Sequence, residues 1–291
     1  MSKMELYKGD CLEVMDELKH IVCFSGGHSS AIVAIEVVRK FGKENVILLN
    51  HNIKGGDDGV EDDDIQRFKE EISHYLDVPI TYANHKDWEN VDQFDVCVDT
   101  KAFKTSHTTV ICTSRLKTQP FTSFLNKSNF NKNNVIIYYG FDKNEDNRIN
   151  RRTKIMEDMG YKTDYPLASW AKRTIYETSE IGIKRPLTYS HFKHANCQGC
   201  IKGGSQHWYI VFCTRKDLWE KAKKAEEIIG YSIIKNNYLE NLECKFKLMQ
   251  ELKIEPTEHI PHQTFWANVR KKIKDVKLEE LSYYDKECLC T

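Results

Sequence analysis

No run of apolar residues in this sequence approaches the roughly 18 to 20 needed to cross a bilayer as a helix. Residues 1–20 carry acids where a secretory signal would be apolar. Both absences lead to the expectation of a cytoplasmic protein without a membrane partner. Charge of one sign is also missing: 43 Lys and Arg stand against 43 Asp and Glu. No whole-molecule field therefore draws the chain to nucleic acid, though a local basic patch is compatible with the balance. Proline is scarce, 6 in 291 residues, and no repeat stands out. Only the Asn/Lys-rich residues 126–134 read as a polar exposed loop. Fibrous, disordered and membrane-spanning classes are set aside, leaving a folded chain long enough for a sizeable core.

What is present alternates. Apolar residues 21–24 run into a glycine turn, and residues 31–38 continue at helical length. Residues 46–49 read as a second buried strand, 61–76 as an acid-led amphipathic helix and 78–82 as a third strand. A long irregular stretch over 84–106 precedes a helix from Ser114, and 134–139 give another buried strand ending at Gly140. Repeated βαβ units predict a mainly parallel sheet flanked by helices. Beyond Tyr165 the pattern turns helical, near 173–182, 217–230, 239–252 and 264–281. The expected division is an α/β domain over 1–185 and a Cys-pair segment with a helical C-terminal unit over 186–291.

The segment with the clearest chemistry is Ser25-Gly26-Gly27-His28-Ser29-Ser30, between the first strand and its helix. There, free backbone N–H groups and the positive helix end face one small volume suited to phosphate or sulfate. The two glycines let the backbone approach an anion, the serines add hydroxyl donors, and His28 would add charge if its surroundings raised its pKa. A tight turn with a Ser cap is the structural alternative. Arg115 and Lys117 open a later helix, where cations oppose the dipole unless an anion sits there. Glu145 and Arg148 stand three apart, as an ion pair or a substrate contact, with Arg151 and Arg152 nearby.

Ten cysteines in a chain of this length, without a signal, favour reduced thiols, metal ligands or catalytic sulfurs over disulfides. Cys197-Gln198-Gly199-Cys200 is a close pair suited to a thiophilic metal. The tail pair, Cys288 and Cys290, would complete four thiolates for Zn²⁺ or an iron–sulfur cluster. Cys112 is an alternative third ligand, and a metal-free thiol pair is the simpler reading. Cys11, Cys23, Cys97, Cys213 and Cys244 read as small core residues.

The ordered segments Ser25–Ser30, Cys112-Thr113-Ser114-Arg115-Leu116-Lys117, Gly140 to Arg148, Tyr165-Pro166-Leu167-Ala168-Ser169-Trp170 and Pro186-Leu187-Thr188-Tyr189, leading to the Cys pair, carry a resemblance. They resemble the phosphoadenosine-phosphosulfate reductase family within the N-type ATP pyrophosphatases, the PP-loop superfamily. The resemblance implies an adenine-nucleotide α-hydrolase fold with ATP or phosphoadenosine phosphosulfate (PAPS) at the sheet's carboxyl edge. It gives Arg115 and Lys117 a phosphate- or sulfate-facing role, with Glu145 and Arg148 beside them. It also implies sulfonucleotide reduction or adenylation-linked sulfur transfer. Three-Cys clusters occur in the wider family, and its mobile-tail nucleophile would fall on Cys288. Two departures stand out: Ser29 replaces the motif's Asp, and the tail shares only Glu287-Cys288 with the reductase motif. They leave room for a catalytically altered regulatory protein. A nucleic-acid thiolation enzyme is a further alternative, and no oligomeric state is implied.

Overall fold

The computed structural model describes residues 18–53, 63–89, 91–105, 109–195 and 197–274. Five strands form one parallel sheet: β1 Lys19–Cys23, β2 Val46–Asn50, β3 Ile80–Tyr82, β4 Val135–Tyr138 and β5 Lys162–Asp164. Their spatial order is β3-β2-β1-β4-β5. Val22 of β1 aligns with Leu48 on one side and Tyr138 on the other. Short apolar strands buried on both faces suit a parallel sheet, whose crossover helices cover each side. Helix α1 (His28–Phe41) buries Ile32, Val33, Ile35 and Val37 against β1 and β2, and α2 (Asp63–Leu76) adds Phe68 and Ile72. The opposite face is filled by Ile21, Val135, Ile137, Met156 and Tyr161. The expected α/β class, with a helical C-terminal region, is what the chain adopts.

Several local expectations differ. The stretch read as irregular holds α3 (Gln93–Asp99), because Asp92 closes a capping box with Asp95 at its start. Helix α4 (Ile111–Thr113) runs through a π-turn, Ser114–Thr118, into α5 (Gln119–Lys127), so the helical segment begins before Ser114. Helix α6 (Asp146–Asp158) follows β4, and a short α7 (Pro166–Ser169) follows β5. No helix spans 173–182. The Glu36 carboxylate instead accepts the backbone N–H groups of Thr174 and Ile175, holding them in a loop against α1, and only Thr178–Ile181 make a single turn.

The C-terminal region packs α8 (Ser205–Thr214), α9 (Lys216–Ile229), α10 (Leu239–Glu251) and α11 (His262–Lys274) around Trp208, Tyr209, Phe212, Trp219, Phe246 and Phe265. Helix α8 was invisible to periodicity because it is buried nearly all round, from Gln206 to Phe212. This second core also takes Phe94, Cys97, Phe103 and Val110 from the chain between β3 and β4. Lys221 on α9 bonds Asp92, at 2.6 Å, and Asp95, at 2.9 Å, across that junction. Among the described residues, no helix is long and apolar enough to cross a membrane.

Candidate functional site

Strand order reverses direction between β1 and β4, since the chain goes outward to β2 and β3 before returning to β4 on the other side. Ligands of open parallel sheets gather outside the carboxyl ends of the strands at such a point. The Ser25–Ser30 segment leaves β1 there, and Gly140 leaves β4 beside it. A Cβ on Gly140 would stand 2.9 Å from Ser30 N and 3.0 Å from the Ser29 carbonyl carbon, so only glycine lets the two loops meet this closely. Gly26 has φ +79°, and a side chain there would press on Lys69 Cγ at 2.9 Å.

Inside the loop the serines divide. The Ser25 N–H donates to Ser30 Oγ at 3.2 Å, and the Ser30 hydroxyl donates to Gly27 O at 2.8 Å. Ser30 therefore shapes the turn, whereas Ser25 and Ser29 are exposed on its open side. Helix α1 has no side-chain cap, and the N–H groups of Ser29 and Ser30 meet no acceptor among the described residues. Such a helix start attracts an anion through both its dipole and its free donors. One donor is already engaged: the His28 N–H bonds the Tyr189 phenol at 2.9 Å. Asn50, at the end of β2, ties the loop's entry by donating to Phe24 O at 2.6 Å.

The condition for a cationic His28 is not met. Its ring is turned away from the open side and buried, with Nε2 3.2 Å from Glu177 Oε2 and 3.4 Å from Thr178 N. Burial, and then the Arg185 charge, lower its pKa more than Glu177 restores it. The ring is neutral at pH 7 and supplies no charge to an anion. Glu145 and Arg148 meet as an ion pair. Glu145 accepts the Asp142 N–H at 2.9 Å and is ion-paired with Arg148, whose guanidinium lies 4.3 Å from the Phe141 ring centroid. Arg152 lies similarly over Tyr139 at 5.3 Å. Tyr139, Phe141 and Tyr165 are near-parallel, with centroids 5.5 to 6.0 Å apart, and stack into the core at the ends of β4 and β5, Tyr139 and Tyr165 buried and Phe141 half-buried.

Arg115 bonds Gln119 at 3.1 Å, while Lys117 reaches 3.9 Å from Cys197 Sγ. Lys117 and the thiols thus form a second locality, next to His51 at the end of β2, whose pKa burial lowers and Lys117 depresses further. The Cys197–Cys200 turn is fixed from three sides. Gln93 donates to the carbonyls of Gln198 and Gly199 at 3.1 and 3.2 Å, Arg215 donates to Gln198 Oε1 at 2.8 Å, and His207 accepts the Cys200 N–H at 3.2 Å. Cys112 lies against Cys97, and that contact, followed by burial, pushes the Cys112 pKa far up. Burial, then Cys197, raises Cys200. Among the described residues, no three His, Cys, Asp or Glu side chains are arranged to hold a metal ion. Cys112, Cys197 and Cys200 are neighbours at this turn. Cys288 and Cys290 lie outside the described residues.

Of the remaining cysteines, Cys97 is buried as expected, Cys23, Cys213 and Cys244 are half-buried, and Cys11 lies outside the described residues. Sequence reasoning quoted Tyr189 and Gly140 only as members of motif segments and singled out neither Asn50 nor Gln93. Tyr189, Gly140, Asn50 and Gln93 are the residues the structure adds. The first three surround the loop and the last builds the cysteine turn, all through contacts between residues far apart in the chain. Compared with protein-family models, curated proteins and solved structures, the chain matches none.

Proposed function

We propose that the chain binds an adenine nucleotide, ATP or PAPS, with the terminal phosphate or sulfate at the Ser25–Ser30 loop. The observation that carries this reading is the uncapped start of α1 at the sheet's switch point, closed by the tight approach of Gly140. On this reading Ser25, Gly26, Gly27 and Ser29 cradle the anion by backbone and hydroxyl donors. Arg148 and Arg152, lying over Phe141 and Tyr139 at the end of β4, contribute positive charge. Arg115 and Lys117 belong to the substrate side, where Lys117 sets a cation beside the Cys197 sulfur. The chemistry would be sulfonucleotide reduction or adenylation-linked sulfur transfer, with preorganised donors stabilising developing negative charge.

A second reading, a nucleotide-binding regulatory protein without turnover, is favoured by two specific features. Ser29 supplies no carboxylate to order Mg²⁺, and the Tyr189 phenol occupies the His28 N–H. Calorimetric titration of the full chain with ATP and with PAPS, followed by assays for pyrophosphate and for sulfite, separates the readings. Micromolar binding with product release supports the enzyme, and binding with neither product supports the regulator. Absence of binding by either nucleotide overturns both.

A further inference from the structure

The Ser25–Ser30 loop has a wall that the strand-to-helix turn does not itself supply. Past β5 the chain runs back along α1: Glu36 holds Thr174 and Ile175, Thr178 lies against His28, and Leu187–Ser190 form a single helical turn at the loop. That turn is fixed from two elements. The Leu187 N–H donates to Asp64 of α2 at 2.5 Å, and His259, between α10 and α11, bonds the Tyr189 carbonyl at 2.9 Å. The half-buried Tyr189 ring is thereby set at the start of α1, where its oxygen accepts the His28 N–H at 2.9 Å.

Gly27 marks the same contact from the other side. Its backbone is ordinary extended, φ −92° and ψ 157°, so the conformation does not call for glycine. A Cβ there would crowd the phenol oxygen at 3.3 Å and stand 3.5 Å from Ala195 Cβ and 3.6 Å from Ser25 Oγ. The Tyr189 and Ser25 hydroxyls thus border one small volume over Gly27, at the helix start whose Ser29 and Ser30 N–H groups meet no acceptor among the described residues. A phenol carries one proton besides its lone pairs. The His28 N–H takes the oxygen as its acceptor, and among the described residues nothing accepts the Tyr189 O–H. We propose that Tyr189 is a ligand of the anion held by this loop, its O–H donating to an anion oxygen while its own oxygen keeps the His28 N–H. The proposal rests on the nucleotide reading and applies with or without turnover. A hydroxyl that accepts from an N–H at a helix N-terminus is polarised to donate more strongly, so the phenol passes that pull to the anion instead of blocking it. The site is then completed from beyond residue 185, outside the stretch read from sequence as the α/β domain.

Calorimetric titration of the full chain with ATP and with PAPS is compared across wild type, Tyr189→Phe and Tyr238→Phe. Tyr189→Phe keeps a ring over the His28 N–H and removes only the hydroxyl. It should weaken whichever nucleotide wild type binds by about tenfold or more, the worth of a hydrogen bond to a charged group. Tyr238→Phe, which loses a phenol bond to Gly230 O in the helical half, should leave affinity unchanged. A further chain separates a ligand from a purely structural phenol. Ring-fluorinated tyrosine in place of Tyr189 alone has nearly the same shape and a stronger O–H donor, and at a pH well below its titration it should tighten binding. A structural phenol would give no such gain, and the fluorinated chain decides the matter even if Tyr189→Phe does not fold. Affinity of Tyr189→Phe equal to or above wild type overturns the proposal, as does equal loss in Tyr238→Phe or a fluorinated chain that binds no more tightly. In each of those cases wild type still binds, so the nucleotide reading stands. If wild type binds neither nucleotide, that reading fails and the role of Tyr189 with it.

Discussion

The sheet half and the helical half of this chain are built from different side chains for different packing problems. Around β1 and α1 the core is aliphatic, with Val22, Ile32, Val33, Ile35, Val37 and Leu48 filling the narrow layer between a parallel sheet and its helices. Around α8 it is aromatic, with Trp208, Tyr209, Phe212, Trp219 and Phe246 in a run of edge-on and tilted contacts. β-branched residues fit a pleated surface, whereas short helices crossing at varied angles leave larger gaps that large rings fill. The two halves also use polar groups differently. The sheet half leaves donors free at the α1 start. The helical half spends its polar groups on fixing backbone: Glu226 accepts Ile233 N and Leu239 N, and Gln206 holds Thr257 O and Ile260 O. The division is not complete, because the indole N–H groups of Trp208 and Trp219 in the helical core are buried without a hydrogen-bond partner among the described residues.

The largest effects come from breaking the aromatic core. Trp219→Ala should cost about 3–5 kcal/mol, against about 0.5–1.5 kcal/mol for Ile35→Val in the aliphatic layer. Because Phe94, Phe103 and Val110 join the helical core from within the sheet half, both variants should still unfold in one transition in urea. Two separate transitions would show that the halves fold independently. Next is the junction itself. Asp92→Ala removes a cap and one of the two carboxylates on Lys221, for a loss of about 2 kcal/mol by chemical denaturation; the remaining Asp95 contact and a side-chain exposure of 40% at Lys221 keep this below the penalty of a fully buried pair.

Gly140→Val sharpens the contrast between site and support. Overpacking against the α1 start should cost about 1–3 kcal/mol. On the proposed function, it should also weaken nucleotide binding more than Trp219→Ala does in protein that remains folded. Equal weakening in calorimetric titration would place the nucleotide elsewhere. The smallest effect is on pH. Burial lowers the pKa values of His20, His28 and His51, all in the sheet half, so below about pH 6.5, the ordinary histidine value, the unfolded chain binds more protons than the folded one. Stability is then fully present above that pH and falls on acidification. His20→Phe, which keeps a ring on Phe41 at the loss of the 2.8 Å bond to Tyr138, should flatten the fall in melting temperature between neutral and acid pH. An unchanged profile would remove His20 from the account.

How far the sequence reached depends on whether the information was local. Strands β1, β2 and β4 were legible because short apolar runs bounded by turn residues have few other uses. Strand β5, Lys162-Thr163-Asp164, was not, since an edge strand of polar residues has no such pattern and gains its place by pairing with β4. At the site, Ser25 to Ser30 was legible from the glycines and their place after a strand. That Ser30 faces inward, that His28 is buried and neutral, and that Glu145 and Arg148 satisfy each other all depend on what folds against them.

By itself, then, the sequence determined the alternation of elements, the parallel sheet and the position of the glycine loop, because backbone conformation and burial pattern are written in neighbouring residues. Tertiary structure decided which donors stay free at that loop, and it brought Gly140, Tyr189 and Asn50 around it. It also set the Cys112 thiol against Cys97. Those outcomes turn on desolvation and on contacts between distant segments, energies that no single stretch of chain contains.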